Sequence, residues 1–519
     1  MSVSVWRGAF LLTIVAVAVK VMSAAYRIPY QNVAGDLGFY VYQQIYPFFA
    51  VAVFLAAYGF PAAISKLVAA RLAEGDKGGA ASVMTRSLFV LSGFSIPVFL
   101  ALYSGAGWIC EAMGDERLLG PLRIVAFSFL FIPPLSAIRG FFQGHGVMKP
   151  TATSQIIEQL VRAVMIIGFT VLVIAKGYGA YAAGSAAGSG SVAGMAASCV
   201  LLILLAVKHR ILLRRRPSKV TLVSLIKSLA FDGAAFSISS LALVFFLLID
   251  TFTILPLLGA DSLQNRLLVG VYDRGYPLVQ LATAAAMSFS LAFVPAMARA
   301  KVRNDQMFIQ EKSEFALRLC LAFGAAAVVG LALIVRPCNI MLFTDASGSG
   351  TLAWFGVTIL FSMTAMTTAG ILQALGFTRS VLIHTIIGLL LKLGLNLCLI
   401  PYFDTFGAAT ATVVSFALIA GLNSLLLHRE TRAFSFLKER GIKLVFALLI
   451  MVGTLTAWHF GASYIAFADS HGRMTAAIVA LGGAGCGAGV YLMGLVRMGY
   501  FSKSELTSLS KREKTRQSA

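Results

Sequence analysis

The sequence predicts an all-α polytopic membrane protein with fourteen transmembrane helices: two six-helix lobes related by a parallel pseudo-two-fold repeat, plus two C-terminal helices. Hydrophobic residues make up 59% of the 519 residues and charged residues only 12%, whereas a soluble domain carries about 25% charged residues. Apolar stretches long enough to cross a bilayer recur along the whole chain. The two halves of the chain also resemble each other at a fixed spacing. These three observations exclude a soluble fold.

The individual spans follow from the length rule, because a helix needs about 20 residues to cross the hydrocarbon core. The N-terminal lobe is expected at 1–210, a basic linker at 211–228, the second lobe at 229–430, two further helices at 431–500 and a basic tail at 501–519. The predicted spans are 8–31, 39–65, 87–110, 119–140, 150–175, 180–207, 229–257, 267–298, 315–336, 351–375, 380–401, 406–428, 442–466 and 474–499.

The charges of the connections predict the orientation. Connections after even-numbered spans are basic, and those after odd-numbered spans carry few cations. By the positive-inside rule, both termini are expected in the cytoplasm. The net charge of +21 is spread over these connections, where it meets anionic lipid, so it does not indicate nucleic-acid binding. The basic set includes Lys66, Arg71, Lys77, Arg86, Arg139, Lys149, Arg214, Lys301, Arg303, Lys312, Arg429 and Lys443.

An internal repeat relates the two halves at a shift of 230 residues. Because the repeat unit holds six helices, both halves cross the membrane in the same direction. This predicts a transporter whose substrate site lies between two lobes that rock against each other. The equivalent pairs are Gln143 with Gln373, Gly146 with Gly376, Lys149 with Arg379, Arg162 with Lys392 and Tyr46 with Tyr276.

Ionisable residues within the spans are the strongest functional signal, because each costs roughly 2.5–3.5 kcal/mol on insertion scales. Lys20 and Arg27 are seven residues apart and so share one helical face. The cations are Lys20, Arg27, Arg123, Arg162, Arg274 and Lys392, and the anions are Glu158, Asp250 and Asp273. We therefore expect an electropositive central cavity for an anionic substrate, lined by Lys20, Arg27, Arg162, Arg274, Lys392 and Asp273.

Several of these residues also have a structural interpretation. Arg123 can snorkel to the interface, and Glu158 and Arg162, four apart, can pair on one helix. The Gly/Ser-rich segment 184–194 predicts a helix-packing seam rather than a phosphate loop. Without a Walker A sequence or a nucleophile–base constellation, we expect no enzyme, no cofactor and no ATP-driven transport.

Three segments carry a resemblance to a known family: RGAFLLTIVAVAVKVMSAAYRIPYQNVAGDLGFYVYQQIYP, GFPAAISKLVAARLAEGD and VYDRGYPLVQLATAAAMSFSLAFVPAMARA. They resemble the stage V sporulation protein B-like branch of the MurJ-type flippases, in the multidrug/oligosaccharidyl-lipid/polysaccharide (MOP) exporter superfamily. The resemblance implies a transporter of the bacterial plasma membrane that flips lipid-linked oligosaccharide precursors such as lipid II. Lys20, Arg27 and Arg274 look like cavity cations of helices one and eight. Helix two offers Tyr42, Gln43, Gln44 and Tyr46 where an arginine is expected.

The resemblance also implies a sodium site in the second lobe of some relatives. Asp250 matches its helix-seven acid, while Lys392 and Asn396 stand at its two helix-eleven positions. A lysine ammonium competes with Na⁺, so we hypothesise that Lys392 pairs with Asp250 and replaces the metal. Coupling to Na⁺, H⁺ or the membrane potential stays open.

The expected partners are a lipid-linked glycan and membrane lipids, and the expected oligomeric state is a monomer. A MATE-like multidrug exporter is one alternative, although cationic drugs need acidic cavities. A non-transporting scaffold in an envelope complex is another, and its cavity charges would be dispensable.

Overall fold

The computed structural model describes residues 3–208, 225–226, 229, 241–260, 262–281, 283, 297, 300–434, 436–466 and 472–501. These residues are almost entirely helical, and no strand occurs among them. This confirms the all-α polytopic class. The predicted linker at 211–228, apart from residues 225 and 226, and the tail from residue 502 lie outside the described residues.

The first half begins with α1 (Val3–Phe54), which is broken at Gly35, where φ is +70°. Glycine is the residue that adopts this left-handed backbone without strain. A π-helical turn (Leu55–Gly59) leads into α2 (Phe60–Ala73). The helices α3 (Lys77–Ser104), α4 (Ala106–Ala112), α5 (Leu119–Ala126), α6 (Ile132–Gly144), α7 (Lys149–Ala175) and α8 (Ala180–Lys208) follow.

The second half is described from α9 (Ala242–Leu258) and α10 (Leu263–Asp273), with residues 275–281 helical again after Arg274. It continues with α11 (Gln306–Phe343), α12 (Ser349–Gly356), α13 (Thr358–Ala374) and α14 (Thr378–Thr431), which is broken at Asp404. The last two helices are α15 (Leu437–Ala466) and α16 (Arg473–Arg497).

Ten helical stretches of the described chain are long and apolar enough to cross a membrane. Two of them, Val17–Ala73 and Thr378–Thr431, have 57 and 54 residues. Since about 20 residues suffice for one crossing, each supplies two spans joined at its break. α9 adds a shorter apolar helix of 17 residues. The count of fourteen and the pseudo-two-fold axis agree with this arrangement and stay predictions.

The alternation of helices gives the bundle two chemically different ends. We call the end with the connections after α2, α6 and α13 the basic end, because Lys77, Lys149 and Arg379 lie beside them. The other end we call the acidic end, because Asp36, Asp115 and Asp345 lie in its connections.

Small residues let α7 and α8 pack closely. A Cβ added at Gly190 would lie 2.6 Å from the backbone nitrogen of Ile166, and one at Gly194 would lie 2.6 Å from the carbonyl oxygen of Glu158. The predicted packing seam at 184–194 is confirmed at these two glycines. The seam also holds Glu158 and Arg162 at a fixed height in the bundle.

Candidate functional site: a cavity between the two halves

A cavity of about 140 Å³ lies between the two halves of the chain. Its polar lining comes mainly from α1 and α7, whereas α9, α13 and the segment after Arg274 contribute mainly apolar side chains. The principal lining residues are Lys20, Ser23, Tyr46, Phe49, Tyr58, Gln155, Glu158, Gln159 and Arg162 from the first half, and Leu243, Val244, Leu247, Gln280 and Met366 from the second. Because Gln155–Arg162 begins two turns into α7, the cavity occupies the part of the bundle between the basic end and mid-depth.

Lys20 lines this cavity as the sequence predicts, and its side chain is partly exposed. Among the described residues, none forms an ion pair or hydrogen bond with it. An ammonium group held this deep in a helical bundle without a carboxylate needs water or an anionic ligand. Lys20 is therefore a candidate substrate contact.

Arg27 follows Lys20 by two helical turns in α1 and is fully buried. Its guanidinium stacks on the ring of Tyr46, 4.1 Å from the centroid. None of its three nitrogens has a hydrogen-bond partner within the described part of the chain. A buried cation with every donor unsatisfied is rare in proteins, and it points to a water, ion or ligand at that place.

Asp273 is a buried acidic residue of the second half. Its Oδ2 has no hydrogen-bond partner among the described residues. Arg27 of the first half and Asp273 of the second thus both carry buried polar atoms without a hydrogen-bond partner in the described part of the chain.

Arg162 also lines the cavity, and it is paired. Its Nη2 donates to Glu158 Oε1 at 2.6 Å, while Arg139 Nη2 donates to Glu158 Oε2 at 2.9 Å. The helical pair Glu158–Arg162 therefore exists, but it belongs to a larger cluster. One carboxylate bridges two guanidinium groups, which leaves the cluster with a net positive charge.

The placement of Arg139 in a cytoplasmic connection was wrong. Arg139 lies inside α6 and is fully buried. Its side chain is held by Glu158, Ser154, Ser198 and the carbonyl oxygen of Ala56. Its partners lie on other segments of the chain, so the charge pattern of the connections could not reveal that Arg139 is buried.

Lys392 does not line the cavity, although it is the repeat equivalent of Arg162. It is fully buried, and its Nζ lies 2.6 Å from Asp250 Oδ1 and 2.6 Å from Thr412 Oγ1. Asn396 Nδ2 donates to the same Asp250 oxygen at 2.9 Å. The pairing of Lys392 with Asp250 that the sequence suggested is therefore present.

The environment of Asp250 does not fit a sodium ion. The hydroxyls of Tyr272 and Tyr276 donate to its Oδ2 at 3.1 and 2.5 Å. Its two oxygens thus face four donors, one of which is an ammonium group. A hard cation needs oxygen ligands that point lone pairs at it, whereas this carboxylate is already saturated by hydrogen-bond donors.

Arg274 lies away from the cavity, towards the acidic end. It is fully buried, and its Nη2 donates to Asp36 Oδ2 at 2.6 Å and to Asp345 Oδ2 at 2.8 Å. Asp36 belongs to the first half, so this arginine ties the two halves together. In this conformation the prediction that Arg274 faces the cavity does not match its position, because two carboxylates hold it elsewhere.

A second ion pair between the halves supports the first. Arg266 Nε lies 3.2 Å from Asp115 Oδ2, and Asp115 also accepts hydrogen bonds from Tyr40 and Tyr181. The backbones approach closely here, since a Cβ at Gly270 would lie 2.3 Å from the carbonyl oxygen of Asp36. We call the two pairs, Asp36–Arg274 and Asp115–Arg266, the acidic-end latch.

Sequence reasoning missed the partners in this latch. Asp36 was visible as the one charged residue of the first connection, but its distance in sequence from Arg274 hides the contact. Asp345 lies in the connection after α11, where hydrogen bonds from the Arg274 guanidinium lower its pKa to about 2.

The family described as "Polysaccharide biosynthesis protein" matches residues 5–301, which is more than half of the chain. The uncharacterized membrane protein YabM of Bacillus subtilis is 36% identical over 97% of this chain and 94% of its own length. The chain belongs to this polysaccharide biosynthesis family. Two further Bacillus subtilis relatives, the lipid II flippase MurJ and stage V sporulation protein B, are each 27% identical and match nearly end to end, at 97% and 96% of both chains.

Solved structures show the same fold. An inward-facing MATE transporter of the MOP superfamily aligns with a TM-score of 0.68 and 17% identity, over 81% of this chain and 98% of its own. The lipid II flippase MurJ in an inward closed conformation aligns with a TM-score of 0.62 and 14% identity, over 96% and 99%. The chain is thus a multi-pass membrane protein with the fold of these solved transporters.

Proposed function

We propose that this protein flips a lipid-linked oligosaccharide precursor, lipid II or a related undecaprenyl-pyrophosphate glycan, across the bacterial plasma membrane. It would act by alternating access, in cell-wall or polysaccharide biosynthesis. The observation that supports this most is a pair of cations without a hydrogen-bond or ion-pair partner among the described residues: Lys20 in the cavity and Arg27 on the cavity-lining Tyr46. One relative of this chain is named a lipid II flippase. A lipid-linked pyrophosphate of this class carries the negative charge that Lys20 and Arg27 would bind.

The geometry gives the direction of loading. If the basic end faces the cytoplasm, as the positive-inside rule requires, then the acidic-end latch faces outward and is closed. The cavity then lies in the cytoplasmic half, where the precursor is made. In this proposal the substrate enters from the cytoplasmic side while the acidic-end latch seals the outer side.

The headgroup would bind through its phosphates. Lys20 supplies a compact charge, and Arg27 and Arg162 supply planar guanidinium groups suited to phosphate oxygens. The cavity is smaller than the roughly 300–1,000 Å³ of ordinary ligand pockets, so the halves must separate further at the basic end to admit the glycan. The polyprenyl chain would stay in the lipid.

The negative charge of the substrate would favour the change from the state open at the basic end to the state open at the acidic end. Bringing several cations together is unfavourable in a low dielectric. A diphosphate between them offsets that repulsion, which favours closure of the basic end around the headgroup and release of the acidic-end latch. Cationic drugs would add to the repulsion, so the charge of this cavity disfavours multidrug export.

We further propose that Lys392 takes the place of a bound cation beside Asp250. Coupling would then come from H⁺, the membrane potential or the substrate gradient rather than from Na⁺ at this position. The ion pair at 2.6 Å and the donors around Asp250 support this.

The test is to delete the gene and identify the undecaprenyl-linked intermediate that accumulates in the inner leaflet. Wild-type protein should clear it. Lys20→Gln should leave it accumulated at unchanged membrane levels of the protein, whereas Lys77→Gln, an exposed lysine of the basic end, should behave as wild type. Normal clearance by Lys20→Gln would favour a scaffold whose cavity charges are dispensable.

A further inference from the structure

We propose that Arg162 is a diphosphate subsite, and that a diphosphate in the cavity displaces Glu158 from Arg162 while Arg139 retains it. The inference rests on the proposed function, because it assumes that an anionic headgroup enters this cavity. It assigns Glu158 a competitive role and Arg139 a positioning role.

The two arginines that share Glu158 differ in their other contacts. Arg139 is saturated, since Nε donates to Ser154 Oγ at 3.1 Å, Nη1 to the carbonyl oxygen of Ala56 at 3.2 Å, and Nη2 to Ser198 Oγ at 2.8 Å besides Glu158. It is fully buried and is not among the cavity-lining residues. Arg139 is therefore a fixed anchor, and it keeps its place whether or not Arg162 moves.

Arg162 has donors to spare. Glu158 is its one hydrogen-bond partner within the described chain, at 2.6 Å, and its Nε is buried without any partner. The side chain is 2% exposed and lines the cavity, with its guanidinium 4.5 Å from the centroid of the Phe49 ring. A cation so oriented can exchange Glu158 for an anion in the cavity without leaving its rotamer.

Replacing Glu158 by a diphosphate on Arg162 leaves no buried charge without a partner. Carboxylate and phosphate oxygens accept the same guanidinium hydrogen bonds. When a diphosphate takes Arg162, Glu158 keeps its bond to Arg139 and is not left as an uncompensated buried charge, which would be strongly unfavourable. Because the ligand must compete with a carboxylate already in place, a diphosphate carrying two or more charges is favoured over a monoanion.

The experiment measures binding of inorganic pyrophosphate to the full-length protein in lipid nanodiscs by calorimetry, at constant ionic strength. Glu158→Gln should bind on the order of 10-fold more tightly than wild type, because close charge pairs at interfaces have couplings of this size. Adding Arg162→Gln to Glu158→Gln should abolish that gain. Glu111→Gln, which removes an exposed acid at the acidic end, should leave the affinity unchanged.

The outcomes separate this inference from the proposed function. If wild type and Lys20→Gln both fail to bind pyrophosphate, the proposed function fails. If wild type binds but folded Glu158→Gln binds no more tightly, or keeps its gain in the double variant, only the Glu158 exchange is overturned. A parallel titration with farnesyl diphosphate distinguishes the source, since tighter binding than pyrophosphate indicates a lipid-linked ligand and equal binding indicates the diphosphate alone.

Glu158→Gln also leaves Arg139 without its carboxylate and can impair folding. Arg162→Gln provides the second test, because the anchor pair Arg139–Glu158 remains intact. It should weaken pyrophosphate binding by on the order of 10-fold. Wild-type affinity in folded Arg162→Gln would overturn the subsite.

Discussion

Arg27 and Arg139 are both fully buried arginines on two different helices of the first half, yet their surroundings differ. Arg139 has a carboxylate and three further acceptors, whereas none of the described residues accepts a hydrogen bond from Arg27. The sequence predicted Arg27 from its depth and its face, which Lys20 shares. It could not distinguish these two arginines, because partners across helices are a tertiary property.

This contrast predicts opposite effects of the same substitution. Arg27→Gln should leave the thermal stability unchanged or raise it, because it removes a buried charge without a partner, and it should abolish transport. Arg139→Gln should destabilise by about 3–5 kcal/mol, because it leaves Glu158 with half of its compensation. Unfolding followed by tryptophan fluorescence, with complementation of the deletion strain, measures both. A large loss of stability in Arg27→Gln would mean that its role is structural.

The Asp250–Lys392 pair predicts how the protein responds to sodium. Since the ammonium of Lys392 lies 2.6 Å from Asp250 Oδ1, replacing KCl by NaCl at equal ionic strength should not change the melting temperature. Lys392→Met should create no sodium response unless Asp250 regains the oxygen ligands of a metal site. A sodium-specific stabilisation of wild-type protein would refute the replacement of the metal by Lys392.

At the scale of elements, the positions of most spans were accessible from hydropathy alone, and the breaks at Gly35 and Asp404 fall between predicted spans. The buried position of Arg139 in α6 was not accessible, because Arg139 looks like a loop cation until Glu158 is placed opposite it. The α7–α8 seam was predicted from composition. Only the structure shows that it also positions the residues of the cavity wall.

The seam makes a matched pair of glycine substitutions informative. Gly194→Ala should destabilise by about 1–3 kcal/mol, because its Cβ would lie 2.6 Å from the carbonyl oxygen of Glu158 and 3.0 Å from Arg162 Cβ. It should also weaken pyrophosphate binding. Gly168→Ala on α7 meets nothing within 4 Å, and it should stabilise by up to about 1 kcal/mol through helix propensity. Equal effects of the two variants in denaturant titration would contradict the seam.

At the scale of the whole molecule, the two halves are joined at the acidic end and separated by the cavity towards the basic end. Asp36 links Arg274 to the first half, whereas Asp345 pairs with Arg274 within the second. Asp36→Asn should therefore shift the population towards the outward-open state, and Asp345→Asn should do so less. Distances between spin labels on the two halves at the acidic end measure this shift. An unchanged distance distribution in Asp36→Asn would mean that the latch does not hold the halves.

The Asp345–Arg274 pair beside the latch should be insensitive to pH in the physiological range. Asp345 has a pKa lowered from 3.8 to about 2 by hydrogen bonds from Arg274. A lowered carboxyl pKa contributes stability above the unfolded-state value, and this contribution is lost as the pH falls through the folded-state value. The stability difference between wild type and Asp345→Asn should be constant from pH 5 to 8 and shrink between about pH 4 and 2. A change near pH 6 would contradict this assignment.

The central claim is that unpartnered cations between the two halves bind a phosphorylated lipid headgroup during its transfer. Movement of a fluorescent undecaprenyl-pyrophosphate glycan across reconstituted liposomes tests it most directly. We predict that wild type transfers the lipid, that Lys20→Gln and Arg27→Gln do not at equal incorporation, and that Lys20→Arg retains transfer. Transfer by both glutamine variants at the wild-type rate would contradict the claim.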